Sequence, residues 1–456
     1  MKKYLHSITI LLAGVCGGCS LDIPYDNQFS DPDAISTPEA ARELLASAYA
    51  AIPNMEFDLA LMTDDFTPTY WASSNPTLLN QYNWQPQAVQ DLSSTTWSGY
   101  YGVIATLNAL IERIPGIPAG TETSRIHSEA LALKAYCYFQ LLRLYGPDFA
   151  TDPDADAIIL KDALAMANLK RSSARETVAE IKRLLTAALS GIGTAETGTD
   201  WIGPDATRLL LAQAQLYSGE YADAADNALA VLTSRGYGAF GPQAYRYLWD
   251  GSACEERIFA YNSPVNTQSF YIGIVYDTTG GDYFAVNPAL AASYAEDDCR
   301  RDASVYHAVS PTIGEQDYFG KYNALRKEQH EIGLINKLRL SDALFTYAEA
   351  SCLKGTAAGE ADASAAVNEY LERRGAPMLA DGLTGDGLLK AILEEKRREF
   401  VGEGTRYFDL KRYGAILDGA RVAADDYRWR WPIPRDEYLY NSNITQNPEW
   451  PMTSFD

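Results

Sequence analysis

Apolar residues return every three or four positions through long parts of the chain, and this rhythm predicts a mainly α protein. In TTWSGYYGVIATLNALIERI, residues Trp97, Tyr101, Ile104 and Ile111 fall on one stripe. In SRIHSEALALKAYCYFQLLRLYGP, Leu131, Ala135, Tyr138, Leu142 and Tyr145 form another; Ser124 and Ser128 are alternative caps for its start, and Gly146-Pro147 ends it. ATRLLLAQAQLYSGEYADAADNALAVLTSRGY predicts two Ala-rich helices around a turn at Ser218-Gly219-Glu220. The small residues Ala212, Ala214, Ala224 and Ala228 let those two helices approach closely.

The same arrangement returns near 338–375, where LRLSDALFTYAEASCLKG is followed by ADASAAVNEYLERRG. Turn and alanine spacing resemble tetratricopeptide repeats, although the later helix of the first pair departs from that consensus. Such pairs bury a shared core only against their neighbours. Length alone would suggest about three domains, yet no Pro/Ser-rich linker divides the chain, so a single body over 19–456 is expected. Between the helical segments lie stretches rich in aromatics, Gly, Asn and Pro, at 56–96 and 240–325. These are expected to be irregular loops carrying the working surface.

The N-terminus adds a compartment. Lys2 and Lys3 precede an apolar run from Ile8 to Val15, which is too short to span a bilayer and suits an export signal. Small residues then lead to Cys19, the expected lipidation site, with residues 1–18 as a lipoprotein signal peptide. Cys16 is the poorer candidate because bulky Val15 precedes it. Durable anchoring takes more than one acyl chain, each buried methylene contributing roughly 0.8 kcal/mol.

Charge then narrows the partners. The chain holds 60 acidic against 38 basic residues, a formal net charge of −22, and loss of Lys2 and Lys3 makes it more negative. Nucleic acid is excluded as a partner, since phosphate binding needs a basic face. His127, His307 and His330 stand at no metal-ligand spacing from cysteine or carboxylate, so neither a structural zinc nor another cofactor is expected. Cys137, Cys254, Cys299 and Cys352 are widely spaced; free, partly buried thiols and one disulfide are both compatible with that.

The densest chemistry lies in EEKRREFVGEGTRYFDLKRYG, from Glu394 to Gly414. A catalytic reading pairs Glu399 with Glu403 as acid and base, as in a glycosidase, whose carboxyls stand about 5–10 Å apart. Lys396, Arg397 and Arg398 within the same turn would keep both carboxylates ionised, so a structural network is the better reading. Leu389, Ile392, Leu393 and Phe400 give the preceding helix an apolar face, Glu394 and Arg398 are placed for an i,i+4 ion pair, and Gly402 and Gly404 break the helix.

This stretch also resembles the hallmark ERRxEFxxEGxRxxDLxRxG of the SusD/RagB family of surface nutrient-binding lipoproteins, matching at Arg397, Glu399, Phe400, Glu403, Gly404, Arg406, Asp409, Leu410, Arg412 and Gly414. Cys19-Ser20-Leu21-Asp22, SEALALKAYCYFQLLRLYGP, LSDALFTYAEASCLKG and WPIPRDEYLYNSNITQNPEW are similar to further family segments in the same order. The resemblance implies a SusD-like helical body on the outer membrane, facing the cell exterior. It also implies a TonB-dependent, SusC-like transporter as partner and an oligosaccharide, or in some members a peptide, as ligand. In the family the hallmark is structural and not the ligand site.

Sugars bind flat aromatic platforms with a polar fringe. The first loop offers Tyr70, Trp71, Tyr82 and Trp84 among Asp64, Asp65 and Asn75, with Trp71 the leading candidate. A second cluster, FYIGIVYDTTGGDYF, offers Tyr271, Tyr276 and Tyr283, with Asp277 and Asp282 either solvated or liganding calcium. Trp429 and Trp431 are expected to pack the C-terminal segment. No enzyme is expected: a surface glycoside hydrolase would need a carboxylate pair in an aromatic cleft, and adjacent Asp64 and Asp65 make a poor one.

Overall fold

The computed structural model describes residues 35–163, 168–194, 198–262, 283–310, 313–322 and 334–452. Cys19, Tyr271, Tyr276, Asp277 and Asp282 lie outside them, and with them the expectations for the signal peptide and for most of the second aromatic cluster.

The predicted helices form a continuous stack. Thr121–Tyr145, Ala174–Gly191, Pro204–Tyr217, Tyr221–Arg235, Leu340–Leu353 and Ala357–Arg374 each pack on the next, while Pro86–Arg113 and Pro38–Ala50 cover the first of them. The two repeat-like pairs are thus separated in sequence by about a hundred residues and adjacent in space. Small side chains permit this. Ala224, Ala225 and Ala350 are fully buried with Leu216 where the pairs meet, and a Cβ at Gly359 would lie 2.3 Å from the Ser351 carbonyl oxygen. The main apolar core runs from Ile35 to Trp450, drawing on both ends of the chain.

The intervening segment returns to the stack through short antiparallel ladders. Arg257–Asn262 pairs with Leu334–Arg339, Val305–Ser310 with Gly314–Phe319, and Phe284–Val286 with Phe66–Pro68. A second apolar cluster, including Phe66, Tyr82, Tyr245, Trp249, Phe284 and Phe319, lies under these ladders.

Two expectations need correction. Helix Thr121–Tyr145 begins a turn earlier than either serine cap would place it; Ser128 is instead buried mid-helix, so close to helix Ala174–Gly191 that a Cβ at Gly191 would lie 2.5 Å from its hydroxyl. Residues 56–96 are largely helical rather than irregular, with Glu56–Leu61, Pro76–Tyr82 and the start of Pro86–Arg113. Pro76 and Pro86 open their helices, where a proline loses no intrahelical bond, so a residue that reads as a breaker is here a start signal. Cys137, Cys254, Cys299 and Cys352 are free thiols.

Gly402 has φ +75°, and a Cβ there would meet the buried Phe319 ring at 2.3 Å, whereas Gly355, at φ +65°, has open space. Gly355→Ala is expected to cost about 1 kcal/mol of left-handed strain, and Gly402→Ala roughly 2–4 kcal/mol because overpacking adds to it. Urea midpoints check this; equal losses would contradict it.

Candidate functional site

The hallmark is the place where several elements end with a charged residue pointing inward. Arg339 closes the strand Leu334–Arg339, Arg374 closes the helix Ala357–Arg374, Glu399 closes the helix Gly385–Glu399, and Glu256 precedes the strand Arg257–Asn262. All four are buried. Arg339 Nη1 donates to Glu399 Oε1 at 2.6 Å and Glu256 Oε1 at 3.0 Å, and its Nη2 to Glu403 Oε1 at 2.9 Å. Arg374 Nη2 donates to Glu256 Oε2 at 2.7 Å. Lys321 Nζ reaches Glu403 Oε1 at 2.6 Å and the Glu399 carbonyl at 2.7 Å, and the Tyr370 hydroxyl donates to Glu399. Aromatic faces close the box, with Arg374 4.4 Å from the Tyr245 centroid and Arg339 4.5 Å from that of Phe400.

Burial alone would raise the Glu399 carboxyl, but the guanidiniums of Arg374, Arg339 and Arg300 outweigh it and hold that carboxyl well below the usual range. An ionised, fully engaged carboxylate is unsuited to acid catalysis, so the structural reading holds, with different partners from those expected. Lys396, Arg397 and Arg398 face elsewhere: Lys396 pairs with Asp409 at 2.7 Å, Arg397 with Asp64 and Asp65 at 3.1 Å each, and Arg398 with Glu395. The anticipated Glu394–Arg398 pair gives way to Glu394–Arg406 at 3.1 Å, because the Gly402–Gly404 turn carries Arg406 back beside the helix.

From this frame an arm reaches the aromatic loop. Arg406 Nε and Nη2 clamp the two Asp64 oxygens at 3.0 and 3.2 Å. Arg421 donates to the carbonyls of Thr63 at 2.8 Å and Phe66 at 2.6 Å, and its guanidinium lies 3.4 Å from the Tyr82 centroid. Gly419 completes the seat, since a Cβ there would lie 1.9 Å from Asp64 Oδ2. Asp65, fully buried, is pushed up to about 6 by burial against the pull of Arg397.

The ladder Phe66–Pro68 with Phe284–Val286 then joins the two aromatic clusters. Thr69 N–H donates to the Tyr283 carbonyl at 2.9 Å, and the Thr69 hydroxyl caps the 3₁₀ turn Tyr70–Ser74 by accepting from Trp71 N–H at 3.2 Å. Tyr70 projects from that turn 72% exposed, edge-to-face with half-buried Trp71 at 5.1 Å and 80°. Tyr283 beside them is half-buried. The product is an aromatic corner on the surface whose root is tied to the buried charges.

The other sequence candidates sort by burial. Trp84 is wholly enclosed, stacked at 5.6 Å on Tyr407 and set edge-on to Trp429, its Nε1–H donating to the Met62 carbonyl at 2.8 Å. That geometry makes it core rather than platform. Tyr82 is buried under Arg421, Asn75 caps helix Pro76–Tyr82 by accepting from Leu78 N–H at 3.2 Å, and Asp64 and Asp65 anchor the loop root. Trp429 and Trp431 are buried as anticipated. Sequence reasoning missed Glu256, Arg300, Arg339, Arg374 and Arg421; a charged residue at an element end carries no periodic signal.

Glu399→Gln leaves buried guanidiniums uncompensated and is expected to cost about 3–5 kcal/mol in urea unfolding. The folded-state carboxyl sits below its ordinary value of 4.5, so its stabilisation is complete above that pH and lost as pH falls below it. The variant should therefore show a shallower acid limb of the stability profile, the remainder coming from other carboxyls held low, such as Glu349 and Glu395. Wild-type stability in the variant at pH 7 would contradict this.

Comparison with known proteins agrees with the architecture. A family model described as SusD family matches residues 326–425, and one described as starch-binding associating with outer membrane matches 21–195. The SusD-like protein P38 of Formosa agariphila is 26% identical over 98% of this chain and 99% of its own. A SusD superfamily protein of Bacteroides vulgatus superposes with a TM-score of 0.78 at 20% identity, covering 91% of this chain and 100% of the other. Surface glycan-binding protein A of Bacteroides uniformis does so at 0.71 and 19%, covering 90% and 99%. With its helix pairs stacked around a buried charge frame and matches at both ends of the chain, the protein belongs to the SusD/RagB family.

Proposed function

We propose that the protein captures oligosaccharides at the cell surface on the Tyr70–Trp71 corner and hands them to a SusC-like, TonB-dependent transporter. In this reading it is lipidated at Cys19, sits on the outer membrane facing outward, and catalyses nothing. The observation that carries the proposal is an exposed Tyr70 ring set perpendicular to half-buried Trp71 on a rigidly rooted turn. An exposed ring offers a sugar's CH face a stacking surface, and a fixed root spares the ordering cost on binding. Asp64 and Asp65, the carboxylates nearest this corner in sequence, are committed to Arg397 and Arg406, which supports binding without hydrolysis. Similarity to a SusD-like carbohydrate-binding protein of Bacteroides vulgatus and to surface glycan-binding protein A of Bacteroides uniformis points the same way.

Calorimetric titration of the purified protein with plant and host oligosaccharides tests this, beside Tyr70→Ala and Trp71→Ala. Saturable binding to one glycan class is expected, weakened about tenfold or more by either substitution, with the glycan recovered intact. Silence toward every glycan with a response to mixed oligopeptides would replace the ligand class, and unchanged affinity in both variants would remove the site.

A further inference from the structure

Beside the frame lies a cavity of about 130 Å³, bounded by helix Thr121–Tyr145, strand Leu334–Arg339 and helix Thr405–Tyr413. A water molecule's share of the liquid is about 30 Å³, so the space suits a guest of a few heavy atoms. Three buried polar atoms on its lining residues have no hydrogen-bond partner: Glu56 Oε2, Asp409 Oδ2 and Arg143 Nε. Asp409 is only 2% exposed.

The charges around the cavity are unevenly matched. Lys337 pairs with Glu56 at 2.5 Å, Lys396 with Asp409 at 2.7 Å, Arg339 with Glu403 at 2.9 Å, and Arg412 with Glu349 at 2.8 Å. Arg143 has no carboxylate in contact among the described residues. Its guanidinium lies 3.8 Å from the Phe408 centroid and 4.7 Å from that of Phe139, with Nη2 donating to Gln140 Oε1 at 2.5 Å. Asp342 acts on it only through space, and burial pushes that carboxyl up to about 7. In a chain of net charge −22, a guanidinium left without a counter-ion stands out.

We propose that this cavity binds a small carboxylate that also carries a hydrogen-bond donor: an α-amino acid, its carboxylate on Arg143 and its ammonium on Asp409 and Glu56, or an α-hydroxy acid, whose single hydroxyl proton serves one of those two carboxylates. Water alone would fill the hydrogen bonds and leave the missing counter-charge. A simple oxyanion would supply the charge and leave two carboxylate oxygens without a donor. An α-amino acid satisfies both, an α-hydroxy acid supplies the charge and one of the two donors, and a planar guanidinium held between two rings is preorganised for a carboxylate. Tyr70 and Trp71 do not line this space, so the inference stands apart from the glycan reading.

Calorimetry of the purified protein with L-lactate, L-alanine and propionate tests it. Lactate or alanine is expected to bind saturably and at least about tenfold more tightly than propionate, the better of the two identifying the donor. Arg143→Met, which keeps apolar contact with both rings, is expected to weaken that binding about tenfold or more. Absence of saturable binding by both acids in the wild type, or propionate binding equally well, would overturn the proposal even if the variant failed to fold. Unchanged binding in a folded variant would do the same.

Discussion

The pairing of Arg339 and Arg374 with Glu256, Glu399 and Glu403 is the constraint on which the rest of the structure depends. Each of these charges costs several kcal/mol to remove from water, and that cost is offset only when all partners arrive together. They come from the ends of a strand and two helices, from the stretch leading into a further strand, and from the glycine turn after Glu399. A helix one residue out of register would leave a buried charge alone. The network therefore penalises wrong packings of Ala-rich helices, whose smooth faces would otherwise tolerate sliding. Its contribution is to specify the arrangement more than to stabilise it.

The same constraint extends outward to the candidate site. Arg397, Arg406 and Arg421 leave the frame region and grip residues 63–66, which continue directly into the strand and turn that carry Tyr70 and Trp71. Asn287 ties the opposing strand to the same root, donating from its side chain to the Asp64 carbonyl at 3.0 Å and from its backbone to that of Asp65 at 2.8 Å. A surface feature thus inherits its rigidity from buried ion pairs, and the hallmark and the loop share one hydrogen-bonded system though more than three hundred residues separate them in sequence.

How much of this the sequence disclosed follows from the physics of each signal. Helical periodicity reports burial along one face, and it located the stripes through Trp97 and Tyr138 and both repeat-like pairs. It does not report which aromatic in a short polar segment is buried. Trp71 and Trp84 look alike in the chain, and only the structure shows Trp84 taking φ +54° to place its indole between Tyr407 and Trp429. Local spacing likewise suggested Glu394–Arg398, but the winning partner of Glu394 arrives through a tight glycine turn. Arg339 and Arg374 were invisible because a buried arginine reads as a surface one until its partners are known.

Hydrogen exchange on Asp64→Asn tests most directly whether the buried charges hold the surface loop. The substitution keeps the side chain's shape and removes the charge that Arg406 and Arg397 share. Protection is predicted to fall in segments 66–75 and 284–287 while helix Thr121–Tyr145 exchanges as in the wild type. Unchanged exchange in 66–75, or a uniform loss throughout the molecule, would contradict the coupling of frame to site.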